Sequence, residues 1–306
     1  MRLIKTLAGA CLAVFGAVTI VFCVTRLLGD PAALLLPLGA SDAQLQALRQ
    51  QLGLDQPLWL QYGHFLRQAL NGDFGTSFMQ GRPALALVLE RLPATLALAG
   101  SSLTLGVLLG GAMGVYLAVR PGRVSRWLVQ PLLLACQATP AFWLGIMATL
   151  LFSVSLGWLP TGGYGGVRHL VLPALTLAAF IGASVARLLA NSLQQAANDD
   201  HVRTARAMGL MPTQVFIWHV LRNSLMPVLT LVGIIAGELL GGSIVVETVF
   251  AWPGSGRLLV QAIANKDFPV IQAAVLVVAV LFVSVNTLVD LLYGWLDPRL
   301  SQGGKR

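Results

Sequence analysis

Charge is what this sequence lacks. Only 10% of its 306 residues are Asp, Glu, Lys or Arg, while 56% are hydrophobic and the mean hydropathy is +0.77. So few polar side chains cannot clothe a water-soluble globule of this length, which argues against an ordinary soluble enzyme or binding module. Cysteine is scarcer still. Cys11, Cys23 and Cys136 all lie in apolar stretches without CxxC spacing, so neither a disulfide framework nor a thiolate metal site is indicated, and they read as buried small hydrophobes. A GxxxxGK[ST] loop is missing, so the chain has no P-loop cradle for nucleotide phosphates. HExxH is missing too, and no serine, histidine and carboxylate constellation stands out. No repeat period of 20 to 50 residues and no low-complexity tract is visible, which removes solenoids and arrays. The chain is expected not to be an enzyme.

What is present is a series of apolar runs of membrane-spanning length, roughly 20 residues each. The net charge of +8 is spread between those runs rather than gathered on a basic face with interleaved aromatics, so nucleic acid is not an expected partner. Arg2 and Lys5 precede an apolar stretch from Leu7 to Leu28. That is longer than a signal-peptide core and reads as a retained first helix. No charged residue occurs between Arg91 and Arg120, nor between Arg126 and Arg168. The expected architecture is all-α and polytopic, a single transmembrane domain over 1–306 with six spans at 7–28, 94–119, 128–156, 170–191, 223–246 and 268–292.

Six spans put both termini on one side, and basic residues in short loops choose that side. With the N-terminus inside, the interior holds Arg2, Lys5, Arg120, Arg123, Arg126, Arg187, Arg203, Arg206, Arg222, Arg299, Lys305 and Arg306, against Arg168, Arg257 and Lys266 in short outer loops. Both termini are therefore expected in the cytoplasm. The long outer segment, 29–93, carries helical patterns of its own. Ser41 with Gln44 forms a capping-box signature ahead of Leu45, Leu48 and Leu52, and Gly53 follows. A second pattern runs from Pro57 through Trp59, Tyr62 and Phe65 toward Gly72, either as an outer cap over a pathway or as interfacial helices on lipid headgroups. On the opposite side, 191–222 reads as two short helices. One is stopped by Gly209, the next opens at Pro212, and together they make a compact protrusion suited to a groove on another protein or, more plainly, a connecting loop.

The stretch Val202-Arg203-Thr204-Ala205-Arg206-Ala207-Met208-Gly209 resembles the cytoplasmic loop of ABC importer permeases. In that family this loop is the coupling helix that fits a cleft of the ATPase, which implies such a role for Arg203, Thr204, Ala205, Arg206, Ala207 and Gly209. Arg203 stands where many members have glutamate, so that contact does not carry over. The strings Asp73-Phe74-Gly75-Thr76-Ser77, Leu92-Pro93-Ala94-Thr95-Leu96, Leu221-Arg222-Asn223 with Pro227, and Phe250-Ala251-Trp252-Pro253-Gly254 with Gly256-Arg257 look like the peptide/nickel permease family of binding-protein-dependent importers. The loop Trp158-Leu159-Pro160-Thr161-Gly162-Gly163-Tyr164-Gly165-Gly166 and the string Gly237-Glu238-Leu239-Leu240-Gly241-Gly242 are similar to its nickel branch.

The resemblance implies a type I importer permease in the bacterial inner membrane, moving a nickel or other metal chelate, with dipeptide, oligopeptide or glutathione-like import as the alternative. It implies a second homologous permease, two ATPase subunits that hold ATP and Mg, and an extracytoplasmic solute-binding protein as partners, with no cofactor in this subunit. A secondary carrier is the remaining alternative, and the sparse ionisable groups at membrane depth argue against it. Ionisable groups in the spans are few: Glu247, Arg187 and Asp290 lie near span ends, where they can snorkel or pair, so Glu238 is the residue expected to line the path, the alternative being a structural hydrogen bond. Gly237, Gly241 and Gly242 around Glu238 permit close helix crossing and suggest a packing seam with the partner permease. His169 is weighed as a lone metal ligand, and no ligand set for a metal is legible.

Overall fold

The computed structural model describes residues 2–27, 32, 36, 41–51, 53–120 and 122–296. The end of the expected first span, most of 29–40, and Pro298, Arg299, Lys305 and Arg306 lie outside the described residues. Among the described residues the chain is helical throughout, with one isolated bridge between Thr76 and Pro83. Four helices are long and apolar enough to cross a membrane, and a bent pair makes a fifth if counted as one span. The first helix, α1 (Arg2–Leu27), has its apolar stretch at Cys11–Arg26, shorter than those four.

The chain divides into two compact units. The first comprises 1–95 and 253–287. Here the capping box forms as its residues dictate: Ser41 N–H donates to Gln44 Oε1 at 3.0 Å and Gln44 N–H to Ser41 Oγ at 3.4 Å, opening α2 (Asp42–Gln51). Pro57 caps α3 (Leu58–Leu70), and Gly72 follows at φ +72. On its aromatic side α3 lies against α1, with Phe22 5.2 Å from Tyr62 and 5.5 Å from Phe65 between ring centroids, and Thr19 Oγ1 2.6 Å from the Tyr62 hydroxyl. This segment is therefore packed on the first helix. Below it, Phe74, Leu87, Val88, Leu258, Phe268 and Ile271 share a core.

Two of the sequence strings turn out to be fasteners of this unit. In Asp73–Ser77, the Asp73 carboxylate accepts from Gly75 N–H, and the Ser77 hydroxyl donates to buried Asp267, which also accepts from Phe78 N–H at 3.1 Å. Thr95 Oγ1 accepts from Ser255 N–H at 2.8 Å and so caps α11 (Ser255–Ala264), a helix with no expectation from sequence. α4 (Ala84–Val119) begins ten residues before the expected span and carries Pro93 inside it. Its 36 residues extend about 54 Å, longer than a hydrocarbon core of about 30 Å.

The second unit comprises 96–252 and 288–306. The expected third span is broken. α5 (Gln130–Ala138), entered through a π-helical stretch Ser125–Val129, stops at Thr139, and α6 (Ala141–Ala148) with its π-helical continuation Thr149–Ser155 leaves at 111°. Pro140 is the cause. Its ring pushes the preceding residue out of the helical region, and Thr139 is extended at φ −83, ψ 127.

At the centre of this unit is α7 (Val167–Ala196), which touches α5 and α6. Ala174, Ala178, Gly182, Ala186 and Ala190 recur every fourth residue along it, and all are buried. The facing stripe on α4 is Gly106, Gly110 and Gly114: a Cβ at Gly110 would stand 2.4 Å from Gly182 O, and one at Gly114 2.9 Å from Ala186 O. Lipid tails are as apolar as a leucine side chain, so close backbone approach and dispersion hold such a pair together. Gly241 has nothing of this chain within 4 Å of an added Cβ.

The fifth span is longer than expected at its start. Pro212–Gln214, a π-helical stretch Val215–Leu221 and Arg222–Gly242 run on without interruption as α9, so the second short helix of the protrusion is the first part of that span. α10 (Ile244–Val249) and α12 (Phe268–Leu296) complete the described chain. Cys11 and Cys23 are exposed on α1, not buried as expected.

Candidate coupling loop and polar seam

α8 (Asp200–Ala207) is amphipathic on a short scale. Val202 and Ala205 are buried, whereas Arg203, Thr204, Arg206 and Ala207 face outward. Ala205 is thus spent as an anchor within the chain itself. Gly209 ends the helix at φ +79, a left-handed conformation that a side chain would strain, and its N–H donates to Arg206 O at 3.0 Å. Met208 and Met211 flank it, 69% and 68% exposed, adding soft apolar surface beside the two arginines. The Arg203–Asp200 ion pair, 3.7 Å long and fully wet, contributes little.

A latch ties α8 to α9. Asn223 Nδ2 donates to His219 O at 2.9 Å and lies 3.1 Å from His201 Nε2, so the Leu221-Arg222-Asn223 string acquires a physical task. Behind the latch a cavity of about 850 Å³ is bounded by Val119, Leu193, Asn198, Arg206, Val215 and Phe216.

At the other end of the same unit, the Phe250-Ala251-Trp252 string packs against the 158–166 loop. Gly163 N–H donates to Phe250 O at 2.8 Å, Tyr164 meets the Trp252 ring edge-on at 5.0 Å, and a Cβ at Gly162 would stand 2.4 Å from Phe250 O. The glycines of that loop, read as a sign of the nickel branch, therefore serve close packing. His169 is packed against Gly165, and among the described residues no group of three or more His, Cys, Asp or Glu could hold a metal.

Glu238, the expected path residue, is exposed on α9. Glu247 is fully buried in α10, with the Ser243 hydroxyl donating to its Oε1 at 3.3 Å. Arg187, expected from sequence as an ionisable group near the inner end of a span, belongs to a second polar feature. Ser184, Arg187, Asn191 and Gln194 fall on one face of α7 at spacings of three and four, opposite Gln130 and Gln137 of α5. Gln137 Nε2 donates to Ser184 Oγ at 2.9 Å, and the Arg187 guanidinium donates to Gln137 Oε1. Gln130, Arg187, Asn191 and Gln194 border a cavity of about 240 Å³. The three-and-four spacing was legible; the partnership with Gln137, fifty residues away, was not.

Residues 106–302 match the family described as binding-protein-dependent transport system inner membrane component, and 1–99 match the N-terminal part described for that component. The glutathione transport system permease protein GsiC of Salmonella typhimurium is 44% identical over 97% of both chains, and that of Escherichia coli K12 is 42% identical over the same share. Among solved structures, an inward-facing MetNI methionine ABC transporter aligns over 69% of this chain and 96% of its own with a TM-score of 0.57 and 22% identity. An amino acid ABC transporter crystallised with histidines aligns over 68% and 93% with a TM-score of 0.55 and 18% identity, so both likenesses speak to the fold alone. The chain is therefore a member of the binding-protein-dependent transport system inner membrane component family, a permease subunit of an ABC importer with the type I permease fold.

Proposed function

We propose that this subunit carries short peptides of the glutathione class across the inner membrane, driven by ATPases that it engages through α8. The observation that carries the cargo assignment is the 42–44% identity, end to end, with permeases named for glutathione. That likeness supports the peptide alternative better than the nickel-chelate reading. The apolar spans and the absence of a P-loop leave energy to partner subunits, for which the family implies ATPases holding ATP and Mg, a second homologous permease and a solute-binding protein.

In this reading the bent pair counts as one span and α1 as another, giving six, with both termini in the cytoplasm and 29–93 outside. The short-loop charge asymmetry supports that orientation. α8 then lies on the ATPase side. Its exposed Arg203, Thr204, Arg206 and Ala207 are the contact face, Ala205 holds that face to the body, and Gly209 sets the exit of the chain. Glu238 lines the path. Closure of the ATPases on ATP pushes α8, and the Asn223 latch passes the push to α9.

The test is uptake by proteoliposomes of the complete complex with binding protein outside. Labelled glutathione and a labelled nickel chelate are offered in competition. Glutathione uptake that a tenfold excess of chelate leaves intact is expected; exclusive uptake of the chelate would refute the assignment.

A further inference from the structure

We propose that Arg187 is a recognition site for the cargo's carboxylate, held ready by Gln137 within the polar seam between α5 and α7. The proposal rests on the peptide-import reading and names the group by which this chain would grip such a cargo. Arg187 is the only charged side chain between His169 and Asp199; its helix is the most deeply buried of the candidate spans, while the arginine itself is on an exposed face. It lies nine residues before Ala196, about 14 Å along the helix axis. That places it near the inner end of the expected span 170–191, where a cation reaches the interface or faces a cavity, and Arg187 borders one. Among the described residues no carboxylate comes within ion-pair distance of it, and its one hydrogen bond goes to the neutral Gln137 amide.

The neighbours fix its orientation rather than its charge. Ser184 spends its hydroxyl proton on Phe180 O at 3.0 Å, so its lone pair is left to accept from Gln137 Nε2. That bond turns Gln137 Oε1 toward Arg187. A guanidinium carries five N–H donors in a planar fork, and Gln137 occupies one edge. The remaining donors suit a carboxylate, which a fork grips in two parallel bonds. Beside it the 240 Å³ cavity adds the amides of Gln130, Asn191 and Gln194, which can accept from a peptide's N–H groups and donate to its carbonyls. Gln137 also lies two residues before the Thr139–Pro140 break, so rearrangement at that bend would reposition the amide that aims Arg187.

Glutathione carries two carboxylates and one ammonium at neutral pH, which matches a lone fixed cation. The experiment compares the wild-type complex with Arg187→Gln, Arg187→Lys and Gln137→Glu. The last variant places a carboxylate on the guanidinium in the cargo's stead. Two readouts are taken: glutathione uptake by proteoliposomes, and equilibrium binding of labelled glutathione to the nucleotide-free complex, competed by its doubly amidated form. Loss of a charge-assisted pair should lower uptake about ten- to hundredfold in Arg187→Gln and Gln137→Glu, and less in Arg187→Lys. Both severe variants should also bind glutathione no better than the diamide, a discrimination that a merely structural arginine would not control. Wild-type import with discrimination unchanged in both variants would overturn the proposal alone. Failure of the wild-type complex to import glutathione while it imports another cargo would overturn the peptide reading, and this proposal with it.

Discussion

Replacing Gly110 by alanine adds one methyl group at the crossing of α4 and α7, where backbone meets backbone. The new Cβ would stand 2.4 Å from Gly182 O, 2.8 Å from Gly182 Cα and 2.9 Å from Val185 Cβ, all inside ordinary contact distance. Two of those atoms are main chain, so no rotamer change relieves the overlap, and the helices must part locally by about an ångström to restore normal contact. Overpacking of this kind costs about 1–3 kcal/mol. The better helix propensity of alanine returns about 1 kcal/mol at most. Gly111 supplies the internal control: it is the next residue of the same helix, and nothing lies within 4 Å of its added Cβ. Gly111→Ala should therefore be neutral or mildly stabilising. The assay is thermal unfolding of the detergent-purified complex followed by fluorescence-detected size exclusion. Gly110→Ala should lower the midpoint by a few degrees relative to Gly111→Ala, on the scale of about 2–4 °C per kcal/mol. Equal midpoints would refute the claim that this seam is packed to backbone contact.

Three further outcomes follow from the geometry. Asp267→Asn converts one acceptor of the Ser77 and Phe78 donors into a donor, and should cost about 1–3 kcal/mol, read as a lower unfolding midpoint and greater protease sensitivity at 73–83; wild-type values would show that this buried carboxylate fastens nothing. Asn223→Ala removes both side-chain contacts of the latch, so binding-protein-stimulated ATP turnover should fall several-fold with assembly retained, whereas full stimulation would remove the latch from the coupling route. Impermeant thiol reagents applied from outside should label Ser41→Cys and spare Met208→Cys in a background lacking the native cysteines; the reverse pattern would invert the proposed orientation.

Much of the local structure was written in short-range chemistry. Ser41 and Gln44 make the reciprocal bonds their spacing forecasts, Pro57 opens α3, and Gly209 ends α8 in a left-handed turn. The broken third span was legible too, in the Thr139-Pro140 pair, but averaging hydropathy over some 20 residues conceals a break between two equally apolar halves. The same averaging ended the second short helix of the 191–222 loop too early, because Arg222 and Asn223 look like a loop although nothing there interrupts the helical backbone.

Packing faces were the hardest to read. An apolar residue against lipid looks the same in sequence as one against a helix, so only small-residue spacing marks the contact. The Gly106, Gly110 and Gly114 series carries that mark, as do the glycines near Glu238, so spacing alone does not say which series meets a helix of its own chain. Partnerships across long sequence separations had no local signal at all. Ser77 with Asp267, Thr95 with Ser255 and Gln137 with Arg187 join residues 190, 160 and 50 positions apart.

In the proposed function, ATP hydrolysis by partner subunits rather than an ion gradient drives cargo through this chain. Proteoliposomes of the complete complex, with binding protein and labelled glutathione outside, should be loaded with ATP, left without it, or given only an imposed proton or sodium gradient. Uptake is expected with enclosed ATP alone. Glutathione accumulation driven by a gradient in the absence of ATP would contradict it.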